Sequence, residues 1–393
     1  MSGLAASHSS SVREPSHRAD GVGAPRSPTA LRRGRRVASS DPPPGPSGLS
    51  YAGHERPKRG AATRYAHRPP EVAGPYEGAP DEILQLTPTP SRRAPAIRAF
   101  VTGLGGFVGH HLGAQLASAG HVVTGIRHAT DVDIRDAESV RAALEASRPG
   151  VIFHLVAAPR SADPAVQHSV DVVGTTVLLE LAAKLRPKPT VLLVSSSAVY
   201  GRTLPGRTVS ERQVPRPQSH YGASKLAQEQ AARRTAAAHG LRLVRARPFN
   251  LLGPGLPEGL VLGAVASAIP RLERRRAPGV IQLGNLSAIR DFIDVRDAVR
   301  AFAVLALQGR SGSVYNVCTG RAVPVQEAVN GILRLARTPI RLEYEPARPR
   351  ADNIPEQVGD SRRLQRLTGW SPQITLEQSL ADMLEYERRK SSA

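Results

Sequence analysis

Runs of apolar, largely β-branched residues alternate with Ala-rich stretches from residue 96 onward, and this alternation is the strongest constraint on the fold. The apolar runs are predicted to be buried strands, at 96–102, 121–126, 151–156, 190–195 and 241–246. The stretches between them are predicted to be helices, at 108–119, 137–146, 172–185 and 222–238. Buried strands separated by such helices indicate an α/β fold, in which a doubly wound parallel sheet is covered on both faces.

Composition excludes several classes of protein. Cys318 is the single cysteine among 393 residues, which excludes an internal disulfide and any zinc or iron–sulfur site built from cysteines, and no metal is expected. No apolar run approaches the roughly 18 residues that a membrane-spanning helix needs. The formal charge of +20 is scattered along the whole chain, which favours solvated surface arginines over a nucleic-acid interface.

The first predicted strand runs directly into a Gly-rich turn that precedes the first predicted helix. Gly103, Gly106 and Gly109 give the spacing GxxGxxG, which lets the backbone approach a pyrophosphate bound at the helix N-terminus. The alternative is an ordinary turn in a chain with 35 glycines. The position between strand and helix favours a Rossmann-type dinucleotide site. Its predicted contacts are Gly103, Gly105, Gly106, Phe107, Val108 and Gly109.

The residue at the end of the second strand discriminates between the two nicotinamide cofactors. NAD sites carry a carboxylate there, which accepts hydrogen bonds from the adenosine ribose. This chain has Arg127 instead, and a guanidinium pairs with a 2′-phosphate. The sequence therefore predicts a preference for NADP(H) over NAD(H), with a solvated surface arginine as the alternative.

Tyr221 and Lys225 lie four residues apart at the start of a predicted helix and therefore share one of its faces. A carbonyl that accepts a hydride becomes an alkoxide, which needs a proton. A neighbouring ammonium favours the phenolate form of a tyrosine. The pair is therefore a candidate for acid–base catalysis, with Lys225 also holding the nicotinamide ribose.

The strand predicted at 190–195 ends in three consecutive serines, Ser195, Ser196 and Ser197. Hydroxyl groups at a strand end can polarise a carbonyl oxygen. Serines at such positions are, however, usually turn-formers, which is the alternative here.

Together these residues resemble the extended short-chain dehydrogenase/reductase superfamily, and within it the NAD-dependent epimerase/dehydratase family. The motifs occur in the family's order over residues 96–393: the Gly-rich turn, 133–134, 154–158, 195–201, Tyr221 with Lys225, and 247–250. The resemblance implies a catalytic triad of Ser196, Tyr221 and Lys225, and a homodimer formed through two helices of each subunit. It also implies cofactor contacts from Asp133, Ile134, Ala157, Ala158, Tyr221 and Lys225.

Within the family, the later half of the chain is most similar to reductases of GDP-4-dehydro-6-deoxy-D-mannose, through 284–286, 290–297, 315–321 and 359–370. This resemblance implies substrate contacts from Ser196, Ser197, Tyr221, Asn250, Arg290 and Arg350. The alternatives are a loop-capping role for Asn250 and an ion pair of Arg290 with Asp291 or Asp294. The chain departs from these reductases at Leu251, Leu256 and Asn353, which leaves the base and the sugar open.

The residues beside Ser196 discriminate among the family's reactions. Ser197 and Ala198 stand where the 4,6-dehydratases carry an acidic residue, so dehydration is not expected. Reductases that also epimerise the sugar use a cysteine or equivalent acid beside the serine, and Cys318 lies elsewhere in the sequence. NADP(H)-dependent reduction of a 4-keto nucleotide sugar is therefore favoured. The alternatives are a nucleotide-sugar 4-epimerase with bound NAD and a catalytically silent, cofactor-sensing regulatory protein.

Three regions follow from these assignments. Residues 1–95 are rich in Arg, Pro, Ser and Gly and are predicted to be disordered, because they cannot bury enough apolar surface to offset the entropy of ordering. Residues 96–250 are predicted to bind the dinucleotide and carry the catalytic residues, and 251–393 to bind mainly substrate. A cytoplasmic location is expected, with a nucleotide sugar as partner and neither a membrane nor a nucleic acid.

Overall fold

The computed structural model describes residues 96–127, 131–160, 162–275, 278–345 and 354–392. The predicted tail, residues 1–95, lies outside the described residues, as do Arg350 and Asn353. Within the described ranges, no helix combines the length and the apolar character needed to cross a membrane.

A six-stranded, fully parallel sheet forms the centre of the fold. Its strands are β1 (Arg98–Thr102), β2 (Val122–Ile126), β3 (Val151–His154), β4 (Thr190–Val194), β5 (Arg242–Pro248) and β10 (Val314–Val317), in the order β2-β1-β3-β4-β5-β10. All five predicted strands are confirmed, and β10 was not predicted. From β1 the chain places β2 on one side and β3 on the other. Ligands of such sheets bind at the carboxyl ends of the strands, where this order reverses.

Helices cover both faces of the sheet. One face is packed by α1 (Phe107–Ser118) and α7 (Val295–Gln308), and the other by α2 (Ala137–Ser147), α4 (Gly174–Ala182) and α5 (His220–His239). Leu112 of α1 and Phe302 of α7 belong to the first core, and Leu144 and Leu178 to the second. These side chains are buried, as the amphipathic pattern of a helix lying on a sheet requires.

The helix predicted at 172–185 differs from the structure at its start. A short helix, α3 (Pro164–His168), and a single π-helical turn (Ser169–Val173) lead directly into α4. The Asp163 side chain accepts a hydrogen bond from Ala165 N, and Pro164 occupies the first turn of α3, both of which favour a helix start. The helical segment therefore begins at Pro164.

The remaining elements form a smaller α/β region. It contains α6 (Val261–Arg275), α8 (Val325–Leu333), α9 (Arg362–Thr368) and α10 (Leu376–Ser392), with β7 (Gly279–Leu283) paired to β12 (Ile340–Tyr344). Three short pairings complete it: β6 (Asn250–Leu252) with β9 (Phe292–Asp294), and β8 (Ile289–Arg290) with both β11 (Val323–Pro324) and β13 (Glu356–Gln357). Val265 and Ile269 of α6 share a core with Leu380 and Leu384 of α10. Because α7 and β10 belong to the main sheet layers, residues 251–393 contribute to both regions.

Candidate active site

The Gly-rich turn is tightly packed between β1, β2 and α1. Gly103 has φ +76°, in the left-handed region that favours glycine. A Cβ atom on Gly109 would lie 2.0 Å from Gly103 O, so a side chain there would push α1 away from the turn. Gly105 N donates to Arg127 O (3.2 Å) and Leu104 N to Ile126 O (2.8 Å), which fixes the turn against the end of β2.

The N-terminus of α1 fits the pyrophosphate of a dinucleotide. Its N-cap residue, Gly106, has no side chain to accept from the first-turn N–H groups, and the first turn carries no acidic residue. The N–H groups at a helix start are donors that need an acceptor, and the helix dipole favours an anion there. Phe107 and Val108 start this helix and also line a cavity together with Ser196, Tyr221 and Lys225, so the predicted turn lies beside the candidate catalytic residues.

Arg127 is exposed at the carboxyl end of β2, where the 2′-position of the adenosine ribose is expected. Burial lowers the pKa of His110, and the positive charge of Arg127 lowers it further. Asp133 forms an ion pair with Arg135 at 2.5 Å on the surface, and Ile134 is buried in the core. The adenine contact predicted for Asp133 and Ile134 stays a prediction.

A cavity of about 340 Å³ lies at the carboxyl ends of the sheet strands and gathers most of the predicted catalytic and substrate residues. The predicted residues that line it are Phe107, Val108, Ala157, Ser196, Ser197, Tyr221, Lys225, Asn250 and Arg290. Its lining also includes the cation Arg160, and no carboxylate occurs among the lining residues of the described chain. Such a lining favours an anionic ligand. Ala158 does not line the cavity; it is buried, and its N–H donates to Asp171 Oδ1 (2.8 Å).

The serines at the end of β4 form both a turn and part of the cavity. Ser196 is the N-cap of a short 3₁₀ turn, Ser197–Tyr200, and its Oγ accepts from Ala198 N (3.2 Å). Ser197 Oγ donates to Gln357 Oε1 (2.9 Å), and Gln357 Nε2 donates to Ser197 O and Gly201 O. The turn-forming role and the cavity-lining role therefore coexist at Ser196.

The start of α5 brings Tyr221 to the serine turn. Ser219 caps the helix by accepting from Gly222 N (3.1 Å), which places Tyr221 in the first turn. A Cβ atom on Gly222 would lie 2.6 Å from Ala198 O, so the helix N-terminus lies directly against the 3₁₀ turn. The guanidinium carbon of Arg160 lies 4.4 Å from the centre of the Tyr221 ring.

Lys225 lies one turn further along α5 and is almost completely buried, with 2% of its surface exposed. Its ammonium donates to Val194 O (2.9 Å) at the end of β4 and to Gln228 Oε1 (2.6 Å). The carbonyl and the amide fix the lysine at the floor of the cavity that Tyr221 also lines.

Asn250 and the carboxylates near Arg290 in the sequence form hydrogen bonds and ion pairs. Asn250 Nδ2 donates to Asp291 O (3.1 Å), so its amide is held at the edge of the cavity. The Asp291 carboxylate accepts from backbone N–H groups of 319, 320 and 359, and Asp294 pairs with Arg296 (2.8 Å). The carboxylates of Asp291 and Asp294, with which Arg290 could have formed an ion pair, therefore have other partners. Arg350 lies outside the described residues.

The model of the NAD-dependent epimerase/dehydratase family matches residues 99–318. The chain belongs to this family. It is therefore an NAD(P)-dependent oxidoreductase of the extended short-chain dehydrogenase/reductase superfamily.

The chain is similar to two relatives and one solved structure that bear on its activity and cofactor. The GDP-6-deoxy-D-mannose reductase of Pseudomonas aeruginosa is 33% identical over 74% of this chain and 98% of its own length. A UDP-glucose 4-epimerase of Mycolicibacterium smegmatis is 30% identical over 75% of this chain and 100% of its own. The structure of RMD from Pseudomonas aeruginosa complexed with NADPH has a TM-score of 0.68 at 31% identity, covering 75% of this chain and 98% of that one.

Sequence reasoning missed three side chains that contact the epimerase/dehydratase motifs. Gln228 lies three residues after Lys225, so helical spacing was a usable signal for it. Arg160 follows the 154–158 motif closely, but nothing in the sequence places it on Tyr221. Gln357 is 160 residues away from Ser197, and no local pattern reveals that contact.

Proposed function

We propose that this protein reduces the 4-keto group of a nucleotide-diphospho-6-deoxy sugar with NADPH, as in the conversion of GDP-4-dehydro-6-deoxy-D-mannose to GDP-D-rhamnose. The proposal is carried by one observation: Ser196, Tyr221 and Lys225 line a single cavity whose described lining holds cations and no carboxylate. A cationic cavity suits a nucleoside diphosphate. The 33% identity to the Pseudomonas aeruginosa GDP-6-deoxy-D-mannose reductase supports this choice of sugar and base.

The three residues have distinct parts in the proposed reaction. Bound NADPH supplies a hydride to C4 of the sugar, and the carbonyl becomes an alcohol. Ser196 donates a hydrogen bond to the carbonyl oxygen, and Tyr221 gives that oxygen its proton. Lys225 orients the tyrosine and holds the nicotinamide ribose. Asn250, Arg290 and Arg350 are proposed to bind the diphosphate.

The neighbours of Ser196 favour reduction over dehydration. Loss of water across C5 and C6 needs a base for the C5 proton and an acid for the leaving hydroxyl. Ser197 is engaged with Gln357, and Ala198 has no titratable group. No carboxylate occurs among the described lining residues that would replace them.

The proposed preference for NADPH depends on Arg127. Its guanidinium is exposed at the strand end, where a 2′-phosphate would form a charge-assisted pair with it. The NADPH complex of the Pseudomonas aeruginosa structure supports this preference.

The test is oxidation of NADPH and NADH by the purified full chain, supplied with GDP-4-keto-6-deoxymannose made in situ from GDP-mannose. We expect rapid oxidation that prefers NADPH, with GDP-rhamnose as the product. A folded protein that binds NADPH but oxidises neither cofactor would rule out this substrate, and UDP- and dTDP-linked 4-keto sugars would then be assayed.

A nucleotide-sugar 4-epimerase is the second candidate, favoured by the 30% identity to the Mycolicibacterium smegmatis UDP-glucose 4-epimerase. An epimerase retains its NAD through the cycle, so freshly purified protein would release a nicotinamide dinucleotide on denaturation. If the purified protein carries no cofactor and consumes NADPH stoichiometrically with the sugar, the 4-epimerase reaction is excluded.

The homodimer also stays a prediction, and light scattering of the purified protein tests it.

A further inference from the structure

The ammonium of Lys225 is buried in a way that requires specific partners. Removing an ammonium from water is costly unless hydrogen bonds replace its hydration. Two of its three N–H groups donate to oxygens that only accept: the Val194 carbonyl and Gln228 Oε1, the shorter contact at 2.6 Å. Gln228 is itself fully buried, at 0% exposure. The third N–H is left for the cavity that Lys225 lines.

The amide of Gln228 is held in the one orientation that serves Lys225. Gln228 Nε2 donates to Thr175 Oγ1 (2.9 Å), and Thr175 Oγ1 donates its single hydrogen to Asp171 O (2.5 Å). A reversed amide would turn its NH₂ group towards the ammonium and its oxygen away from it. The hydroxyl of Thr175 therefore selects the rotamer that presents Oε1 to Lys225.

The neighbouring histidine fits the same pattern of donors and acceptors. Thr175 has already donated its hydrogen, so it accepts from His154 Nε2–H (2.8 Å), and His154 Nδ1 accepts from Thr102 Oγ1 (2.8 Å). Burial and the charge of Lys225 lower the pKa of His154 to about 3, which keeps the imidazole neutral. The hydrogen-bonded chain therefore runs in one direction from Lys225 through Gln228 and Thr175 to Asp171 O.

We propose that Gln228 is a positioning residue, which fixes the Lys225 ammonium so that its third N–H points into the cavity at the cofactor. The inference rests on the proposed role of Lys225 in binding the nicotinamide ribose. The contact is direct, the hydrogen bond to Thr175 orients the amide, and both side chains are buried. Gln228 itself does not line the cavity, so it acts through Lys225.

A double-mutant cycle on NADPH affinity tests this, with Gln228→Met and Lys225→Met made singly and together in the full chain. Each single change is expected to raise the NADPH dissociation constant about tenfold or more, the usual effect of losing a hydrogen bond to a charged group. If Gln228 acts through Lys225, the double variant binds no more weakly than Lys225→Met alone. If the losses of NADPH affinity from the two single changes multiply in the double variant, the proposal is overturned.

Rescue and a matched control complete the test. Gln228→Glu keeps an acceptor for Lys225 but loses the Nε2 donor to Thr175, so it should bind NADPH more tightly than Gln228→Met and less tightly than the wild type. Gln230→Met, an exposed position on the same helix, should leave the affinity for NADPH unchanged.

With substrate present, Gln228→Met should lower kcat and leave the KM for the nucleotide sugar unchanged. Equal losses in the Glu and Met variants would assign Gln228 a packing role. A wild type that binds no nicotinamide cofactor would instead refute the proposed function.

Discussion

Arg160 and Tyr221 form a cation–π pair inside the cavity, with the guanidinium carbon 4.4 Å from the ring centre. Arg160 comes from the loop after β3, and Tyr221 from the first turn of α5. The pair therefore connects the loop after β3 to the start of α5, and it adds a cation to a cavity whose described lining holds no carboxylate.

Replacement of Arg160 by Ala should lower kcat/KM for the nucleotide sugar by about two- to fivefold, because Arg160 is exposed and a cation–π pair at an exposed site contributes about 0.5–1 kcal/mol. Arg160→Lys keeps the charge and should recover part of the loss. Steady-state kinetics with both variants measure the effect. Arg234→Ala, an exposed arginine on α5, is the control. An unchanged kcat/KM in Arg160→Ala would show that the stacking has no part in turnover.

Tyr221→Phe should reduce kcat by about 10²–10⁴-fold, the usual contribution of a positioned proton donor. Affinity for NADPH should stay within about threefold of the wild type, since only the hydroxyl is removed. Turnover and cofactor titration are measured on the same preparation. The control is Tyr344→Phe, where the tyrosine is 61% exposed. Substantial residual turnover would refute the assignment of Tyr221.

Arg127→Ala should weaken NADPH binding by about 10–100-fold and leave NADH nearly unaffected, because only NADPH carries the 2′-phosphate that a charged hydrogen bond would recognise. The ratio of kcat/KM for the two cofactors is the measured quantity. Parallel losses for both cofactors would mean that Arg127 does not select between them.

Gly109→Ala should prevent cofactor binding and lower the melting temperature, because its Cβ would lie 2.0 Å from Gly103 O. Neither backbone segment can move without separating α1 from the turn. Gly259→Ala is the matched control, since a Cβ there meets nothing within 4 Å, and stability should change by less than about 0.5 kcal/mol. Thermal unfolding with and without NADPH compares the two variants.

His154 should make the protein less stable on acidification. Its pKa is lowered from 6.5 to about 3 in the fold, so the unfolded chain binds a proton that the folded chain does not between these values. Stability is therefore lost as the pH falls below 6.5, by about 1.4 kcal/mol per pH unit. Denaturant unfolding at several pH values, compared with His154→Gln, isolates this contribution from those of the carboxylates. Identical pH slopes would contradict it.

The sequence predicts the main sheet well because apolar strands alternate with Ala-rich helices, and both have local signatures. All five predicted strands occur, and the Tyr221 and Lys225 pair lies at the start of a helix as its spacing indicated. The short strands β8 and β13 have two residues each, too few for any periodicity. β10 joins the sheet beside β5 after a long excursion of the chain, and only tertiary pairing reveals it.

The site was predictable where function depends on a motif and not where it depends on contacts between distant segments. Spacing alone indicated the Tyr221 and Lys225 pair, whereas the family resemblance singled out Ser196, and all three line one cavity. The contact of Gln357 with Ser197 joins residues 160 positions apart. Such pairs depend on how the smaller region packs over the sheet, which no local pattern encodes.

The return of the chain to the main sheet through α7 and β10 limits how these enzymes can be recombined. A graft that replaced everything after residue 250 with the sequence of a relative would also replace the sixth strand, which pairs with β5, and the helix that packs against α1. Side chains of the relative would then pack against the host's β5 and against its α1. Exchanging sugar specificity therefore calls for two separate inserts, one on each side of the segment from Val295 to Val317, with that segment retained from the host.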